Sequence, residues 1–216
     1  MRRTAVPLAV LFALIAAAGH AAAQDAEKKE SGTATAEGTT RVIIGGGLGG
    51  GFGAKFKKNG QTVTFDDVFQ GAGDKTPLVA VNVATFGIAL KPGFYVGLDL
   101  SGMGQAGKVA GNTTSVQVTN YLAAVTWFPW ETGLYLRGGA GLGTFVQVTN
   151  INGSQTTDHA SGLGVMVGLG YALRLSGAHH LTLTAVQTWQ SYGGSGATKP
   201  DNSQVGAVYL GYLYQN

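Results

Sequence analysis

From Arg41 onward, large apolar residues recur at every second position. The clearest run is 134–148. Leu134, Leu136, Ala140, Leu142, Val146 and Val148 share one face, and Tyr135, Arg137, Gly139, Gly141, Gly143, Phe145 and Gln147 share the other. The run 162–175 repeats the pattern, with Leu163, Val165, Val167, Leu169, Tyr171, Leu173 and Leu175 against Gly162, Gly164, Met166, Gly168, Gly170, Ala172 and Arg174. A helix would scatter these leucines and valines around its circumference, and each interior glycine would cost it about 1 kcal/mol. Both runs therefore read as strands. The same template gives eight strands, at 41–56, 78–90, 94–103, 115–128, 134–148, 162–175, 181–192 and 204–214. The first two are looser, because glycine and alanine blur the alternation.

The connections alternate in length. Lys91-Pro92-Gly93, 129–133 and 176–180 are tight, whereas 57–77, 104–114, 149–161 and 193–203 are longer and polar. The strands run ten residues or more, against ~9–11 for a tilted membrane strand and ~5–6 in globular sheets. An even number of strands closes the sheet and leaves no unpaired edge in lipid. Together these features predict an all-β fold, an eight-stranded antiparallel up-and-down transmembrane barrel over 41–216. Short turns and both termini are expected in the periplasm, with the long loops extracellular. Aromatic residues cluster where the two membrane interfaces would fall. Phe94, Tyr95, Trp127, Trp130 and Tyr135 lie near the tight turns and Trp189 nearer the other rim, so all six are expected at the interface.

Composition and the N-terminus point the same way. The chain has 36 glycines, no cysteine and 12% charged residues. Soluble domains average about 25% charge, so this surface does not face water all round. The absence of cysteine excludes disulfides, thiolate nucleophiles and Cys-ligated zinc. Arg2-Arg3, the apolar run Val6 to Ala18 and Ala21-Ala22-Ala23 read as a signal peptide over 1–23, with Gln24 as the first mature residue. Residues 24–40 have no large apolar side chain and read as a flexible periplasmic lead segment. The net charge of +3 lies mostly at loops and strand ends, with no basic stripe, so nucleic acid is not an expected partner.

Few motifs carry chemistry. Gly45 to Gly53 contains several G-x-G-x-x-G-like matches, but a strand end and loop follow where a dinucleotide site needs a helix. These glycines fit better as relief of crowding in a narrow barrel. Asp99, Arg137 and Arg174 are mid-strand charges on the face opposite the aliphatic row. Facing lipid at mid-depth, an arginine would cost about 2–4 kcal/mol. The three are therefore expected in the lumen as one polar cluster, with Gln117 and Gln147 adding hydrogen bonds. Such a cluster either satisfies polar groups in a filled interior or forms a constriction for small solutes. Asp158, His159 and Ser161 are neighbours, but adjacent strand residues alternate faces, so no triad follows. Asp66, Asp67 and Asp74 do not match an EF-hand and read as an ordinary polar loop. His179-His180 reads as a solvated turn. No catalytic residue, metal site or cofactor is expected.

On this architecture residues 41–216 resemble the small bacterial outer-membrane β-barrel family, of the kind seen in OmpX, OmpW and the OmpA transmembrane domain. The last strand, with Val208, Leu210, Tyr212 and Tyr214 on one face, is similar to the family's C-terminal insertion signal, although it ends Tyr214-Gln215-Asn216 instead of in Phe or Trp. The resemblance implies outer-membrane lipid, lipopolysaccharide and the outer-membrane assembly machinery as partners of a monomer. The expected function is a structural or surface-interaction role with a largely filled lumen. The alternative is a narrow channel for small or apolar solutes.

Overall fold

The computed structural model describes residues 41–109, 111–130, 132–151, 153–193 and 200–216. The signal peptide (1–23) and lead segment (24–40) lie outside the described residues. Eight long strands form the barrel: β1 (Val42–Lys58), β4 (Val79–Lys91), β5 (Phe94–Val109), β6 (Asn112–Trp127), β7 (Leu134–Ile151), β8 (Ser154–Ser176), β9 (His179–Tyr192) and β10 (Asn202–Gln215). The β1–β4 connection carries a short strand β2 (Gln61–Thr64), a one-turn helix α1 (Phe65–Val68) and a short strand β3 (Asp74–Lys75). Neighbouring strands pair antiparallel in chain order, and β1 pairs with β10 from Ile43↔Gln215 to Lys57↔Asn202, which closes the ring. Every barrel strand thus has a partner on both sides, as spanning a bilayer requires.

The two faces of the sheet differ sharply. Leu163, Val165, Val167, Leu169, Tyr171, Leu173 and Leu175 of β8 all point outward and are exposed. Leu98 on β5 and Leu210 on β10 do the same, at 63% and 58% exposure. Exposed apolar patches beyond a few hundred Å² are rare on soluble proteins. Here the patch encircles the barrel, so the outer wall is a lipid-facing surface.

The strands extend further than the alternation of large apolar residues indicates. Expected loops at 104–114 and 149–161 are hairpins instead, in which β5–β6 and β7–β8 continue to turns at Gly111 (φ 82°) and Gly153 (φ 86°). β8 alone runs 23 residues, about twice what a bilayer needs. The extra length carries Thr, Ser and Gln on its outer face, which is why it reads as loop. The connections at this end therefore do not follow a simple long-loop pattern.

Two bulges explain why the first two strands are hard to read. In β1, Gly53 (φ 58°) and Ala54 face the single residue Val205, because Phe52 pairs with Gly206 and Lys55 with Gln204. Only glycine takes this backbone conformation readily. The inward set switches from odd positions before the bulge to even ones after it, so Ala54 and Phe56 are buried. In β4 the extra residue Val83 does the same, and the inward set passes from Ala80 and Asn82 to Thr85 and Gly87. A phase break, rather than the size of the side chains, blurs the pattern.

Candidate functional site

The lumen is occupied from end to end. At the end carrying the chain termini, Ile43, Tyr95 and Leu213 form a buried layer with Ala89 and Phe128 packed on it. Phe128 bridges the two inward tyrosines, with ring centroids 6.1 Å from Tyr95 and 5.1 Å from Tyr135. Gln215 donates to the Tyr95 hydroxyl at 3.0 Å, and the Tyr135 hydroxyl bonds Thr184. Tyr95 and Tyr135 are thus buried lumenal residues, not interfacial ones. The odd-numbered face of β5 and of β7 points inward, and nearness to a turn does not change that.

Above this layer lies the polar pair. Asp99 on β5 is 1% exposed and accepts from Arg137 of β7. Asn82 donates to the same carboxylate oxygen at 2.8 Å, and Thr85 bonds both Asn82 and Arg137. Asp99 Oδ1, Ser101 Oγ and Arg137 Nε make no hydrogen bond among the described residues. A cavity of about 20 Å³, lined in part by Asn82, Thr85, Tyr135, Arg137 and Tyr209, has room for about one water.

Arg174 does not join this pair. It lies on the inward-parity face of β8, but past the last lumenal layer, where it is exposed and donates from Nε to the Gly177 carbonyl at 3.0 Å. Gln117 also departs from expectation. It is exposed on the outer face of β6, where it donates to Thr119 at 3.3 Å. Gln147 is half-buried on the inward face of β7.

A second polar layer follows at the hairpin end. Gln190 donates to Asn120 at 2.5 Å and to the Thr119 carbonyl at 3.2 Å, while the Tyr192 and Ser203 hydroxyls meet at 2.7 Å. Gly143 makes room for Gln190, since a Cβ there would lie 2.8 Å from Gln190 Cδ. Gly170 is placed likewise against the Tyr135 ring. Large side chains from one strand thus fill the spaces that glycines leave on the next.

Phenylalanines close the hairpin end. Phe56, Phe145 and Tyr192 project inward in a chain, Phe56 and Phe145 tilted at 5.2 Å between centroids and Phe145 and Tyr192 edge-to-face at 6.1 Å. Helix α1 folds down onto them, and both Phe65 and Phe69 are 2% exposed. A reciprocal cap holds the helix: Thr64 N–H donates to Asp67 Oδ2 at 2.7 Å, and Asp67 N–H donates to Thr64 Oγ1 at 3.1 Å. The Thr64 backbone N–H, and after it the Thr64 hydroxyl, hold the Asp67 carboxyl below its ordinary value. Asp66 pairs with Lys75 at 2.6 Å, and Asp74 stands opposite Lys108 in the sheet. The three aspartates therefore serve three different local contacts. This stopper was legible in part, because Thr64-Phe65-Asp66-Asp67 is a capping pattern and Phe65, Val68 and Phe69 share one helical face.

The remaining candidates sit apart. Asp158 occupies the inward-parity face of β8, and His159 and Ser161 are exposed on the other. Among the aromatics, Trp127, Trp130 and Trp189 are exposed, and Phe94 is half-buried beneath Lys91. No group of three or more potential metal ligands occurs among the described residues.

A closed ring of eight antiparallel strands with an apolar exterior and a filled interior defines a membrane-spanning β-barrel. No family model matches the chain, and no curated protein matches it in sequence. Solved structures do. Ail, the attachment invasion locus protein of Yersinia pestis, superposes with a TM-score of 0.54 at 12% identity, covering 82% of this chain and 99% of that one, in a structure with the heparin analogue sucrose octasulfate. A second Ail structure gives 0.50 at 12% identity over the same shares. Neisserial surface protein A gives 0.48 at 12% identity, covering 81% of this chain and 96% of that one. The chain has the fold of the small eight-stranded outer-membrane β-barrels.

Proposed function

We propose that this protein is an outer-membrane barrel with a structural or surface-interaction role and no catalytic activity, its termini periplasmic and its hairpins outside. The observation that carries this reading is the continuous filling of the lumen, from Ile43, Tyr95 and Leu213 at one end to Phe56, Phe65 and Phe145 at the other. Nothing wider than a water has room beside Arg137. Function then falls to the outer surface. The β5–β6 and β7–β8 hairpins rise past the apolar band, and among the described residues Ser154–Ala160 pair on one side only. Such an edge is suited to adding a partner strand. Lys55 and Lys57 stand just beyond the exposed ring of Phe52, a position suited to lipopolysaccharide phosphates. The even-numbered face of β10, ending at Tyr214, supports recognition by the assembly machinery. The apolar band around the barrel supports a monomer.

A second reading, a narrow solute channel, is favoured by one feature: the buried polar atoms Asp99 Oδ1, Ser101 Oγ and Arg137 Nε lack hydrogen-bond partners, and Arg137 lines a small cavity. Two measurements separate the readings. Protein extracted from an outer-membrane fraction is expected to migrate differently on gels before and after heating, and a soluble product needing no detergent would overturn the barrel role. In planar bilayers it is expected to conduct negligibly, and steady single-channel steps that change in Arg137→Ala would favour the channel.

A further inference from the structure

Among the described residues, charged side chains are distributed unequally between the two ends of the barrel. At the hairpin end Lys55, Lys57, Lys58, Lys75 and Lys108 are equalled in number by aspartates, among the described residues, with Lys75 and Asp66 in an ion pair. At the end carrying the termini, Arg41, Lys91 and Arg174 are exposed, and no described carboxylate side chain shares the rim with them. Glu131 lies outside the described residues. His179 and His180 open β9 beside the end of β8, with His180 the partner of Arg174 in register.

Arg41 and Lys91 lie side by side at this rim. The Arg41 carbonyl accepts from Ala89 N–H at 2.8 Å, which sets Arg41 two residues from Lys91 on the adjoining strand. Lys91 Nζ lies 5.4 Å from the centroid of Phe94, which pairs in register with Trp127. Arg174 is flanked by the exposed Leu173 and Leu175. Lys91 follows Leu90, at 67% exposure, and Arg174 precedes Leu175, at 59%, so both stand at the end of the lipid-facing apolar band, where Trp130 is also 59% exposed. That border is where headgroup phosphates lie, and aromatic rings favour the same depth. Guanidinium groups match phosphate oxygens in geometry as well as charge.

We propose that this rim is a docking surface for anionic phospholipid headgroups, with Arg41, Lys91 and Arg174 drawing the headgroup phosphate and Phe94, Trp127 and Trp130 fixing the depth. The inference rests on the barrel lying in a membrane and goes beyond it, since an apolar band alone does not choose between lipid headgroups.

The three tryptophans provide the test. In a Trp189→Phe background, emission comes from Trp127 and Trp130 alone. The full chain is reconstituted in phosphatidylcholine bilayers carrying either brominated phosphatidylglycerol or brominated phosphatidylcholine, and quenching gives the relative affinity at the rim. A preference for phosphatidylglycerol of about threefold or more is expected at low salt, falling toward one at about 0.5 M NaCl. The triple variant Arg41→Ala, Lys91→Ala, Arg174→Ala is expected to lose the preference while keeping heat-modifiable migration. Lys108→Ala, at the opposite end, is expected to keep it. Equal quenching by the two lipids in the parent, or an unchanged preference in the triple variant, overturns the proposal. Quenching by neither lipid overturns it together with the membrane-barrel reading on which it rests.

Discussion

Arg137 on β7 reaches Asp99 on β5 through the lumen, past the whole width of β6. Both groups are buried, and Asn82 and Thr85 complete the network from β4. Removing one partner of such a pair strands the other charge, at a cost of about 3–5 kcal/mol. Asp99→Asn and Arg137→Met are each expected to lose that much in urea unfolding of the reconstituted protein. The double variant Asp99→Leu, Arg137→Met is expected to recover most of it. Singles that unfold like the parent would show that the pair does not hold the strands in place.

Arg174 supplies the contrast. It is exposed and bonded to a turn carbonyl, so Arg174→Ala is expected to change stability by no more than about 0.5 kcal/mol. The same urea titration checks it, and a loss comparable to that of Arg137→Met would return Arg174 to the lumenal network.

The stopper should come away without the barrel. Phe65→Ala removes a fully buried ring, a change that costs about 3–5 kcal/mol. The loss falls on the docking of 61–75, because the eight barrel strands pair without it. Hydrogen exchange is expected to rise sharply across 61–75, with heat-modifiable migration retained. Uniform loss of protection around the ring would show that the stopper holds the barrel up.

The cap of that helix is pH-sensitive in a definite direction. The Asp67 carboxyl sits below its ordinary value because Thr64 bonds its charged form. A depressed folded-state pKa gives stability that is present above the unfolded pKa and lost as pH falls through the folded one. Amide protection over 65–68, corrected for intrinsic exchange, is expected to fall only on acidification below the ordinary carboxylate range. Thr64→Ala is expected to weaken the helix by about 1 kcal/mol at neutral pH. Protection unchanged down to the pH of full carboxylate protonation would mean that the cap is idle.

At Gly53 the φ of 58° is open to glycine and strained for other residues. Gly53→Ala is expected to cost about 1–2 kcal/mol, read as a lower urea midpoint with an unchanged slope. No shift would mean that the bulge relocates at no cost.

Much of this architecture is legible from residue order, and the exceptions have specific causes. β8 reads cleanly because Leu163 to Leu175 keep one phase in contact with lipid. β1 and β4 do not, because Gly53 and Val83 each reverse the phase halfway along the strand. The hairpins at Gly111 and Gly153 look like loops because, beyond the bilayer, the outer face has no reason to be apolar. Tyr95 and Tyr135 share parity with Asp99 and Arg137, so their inward placement was available in the sequence. Turn proximity was the weaker guide. Arg174 has the right parity too, but its depth depends on where the β8–β9 turn begins, and alternation does not encode that.

The seam between β1 and β10 sets an order on how the chain can fold. Its two strands lie at opposite ends of the sequence, with Val42 N–H donating to the side chain of Asn216 at 2.7 Å. Until β10 is in hand, β1 has one long row of unpaired amides and carbonyls that hydrocarbon does not tolerate. Local hairpins form early, but the contact that makes the sheet compatible with lipid is the most remote in sequence and hence slow to find. Insertion and ring closure are thereby coupled, so a partly synthesised chain has to be kept in water until its last strand arrives.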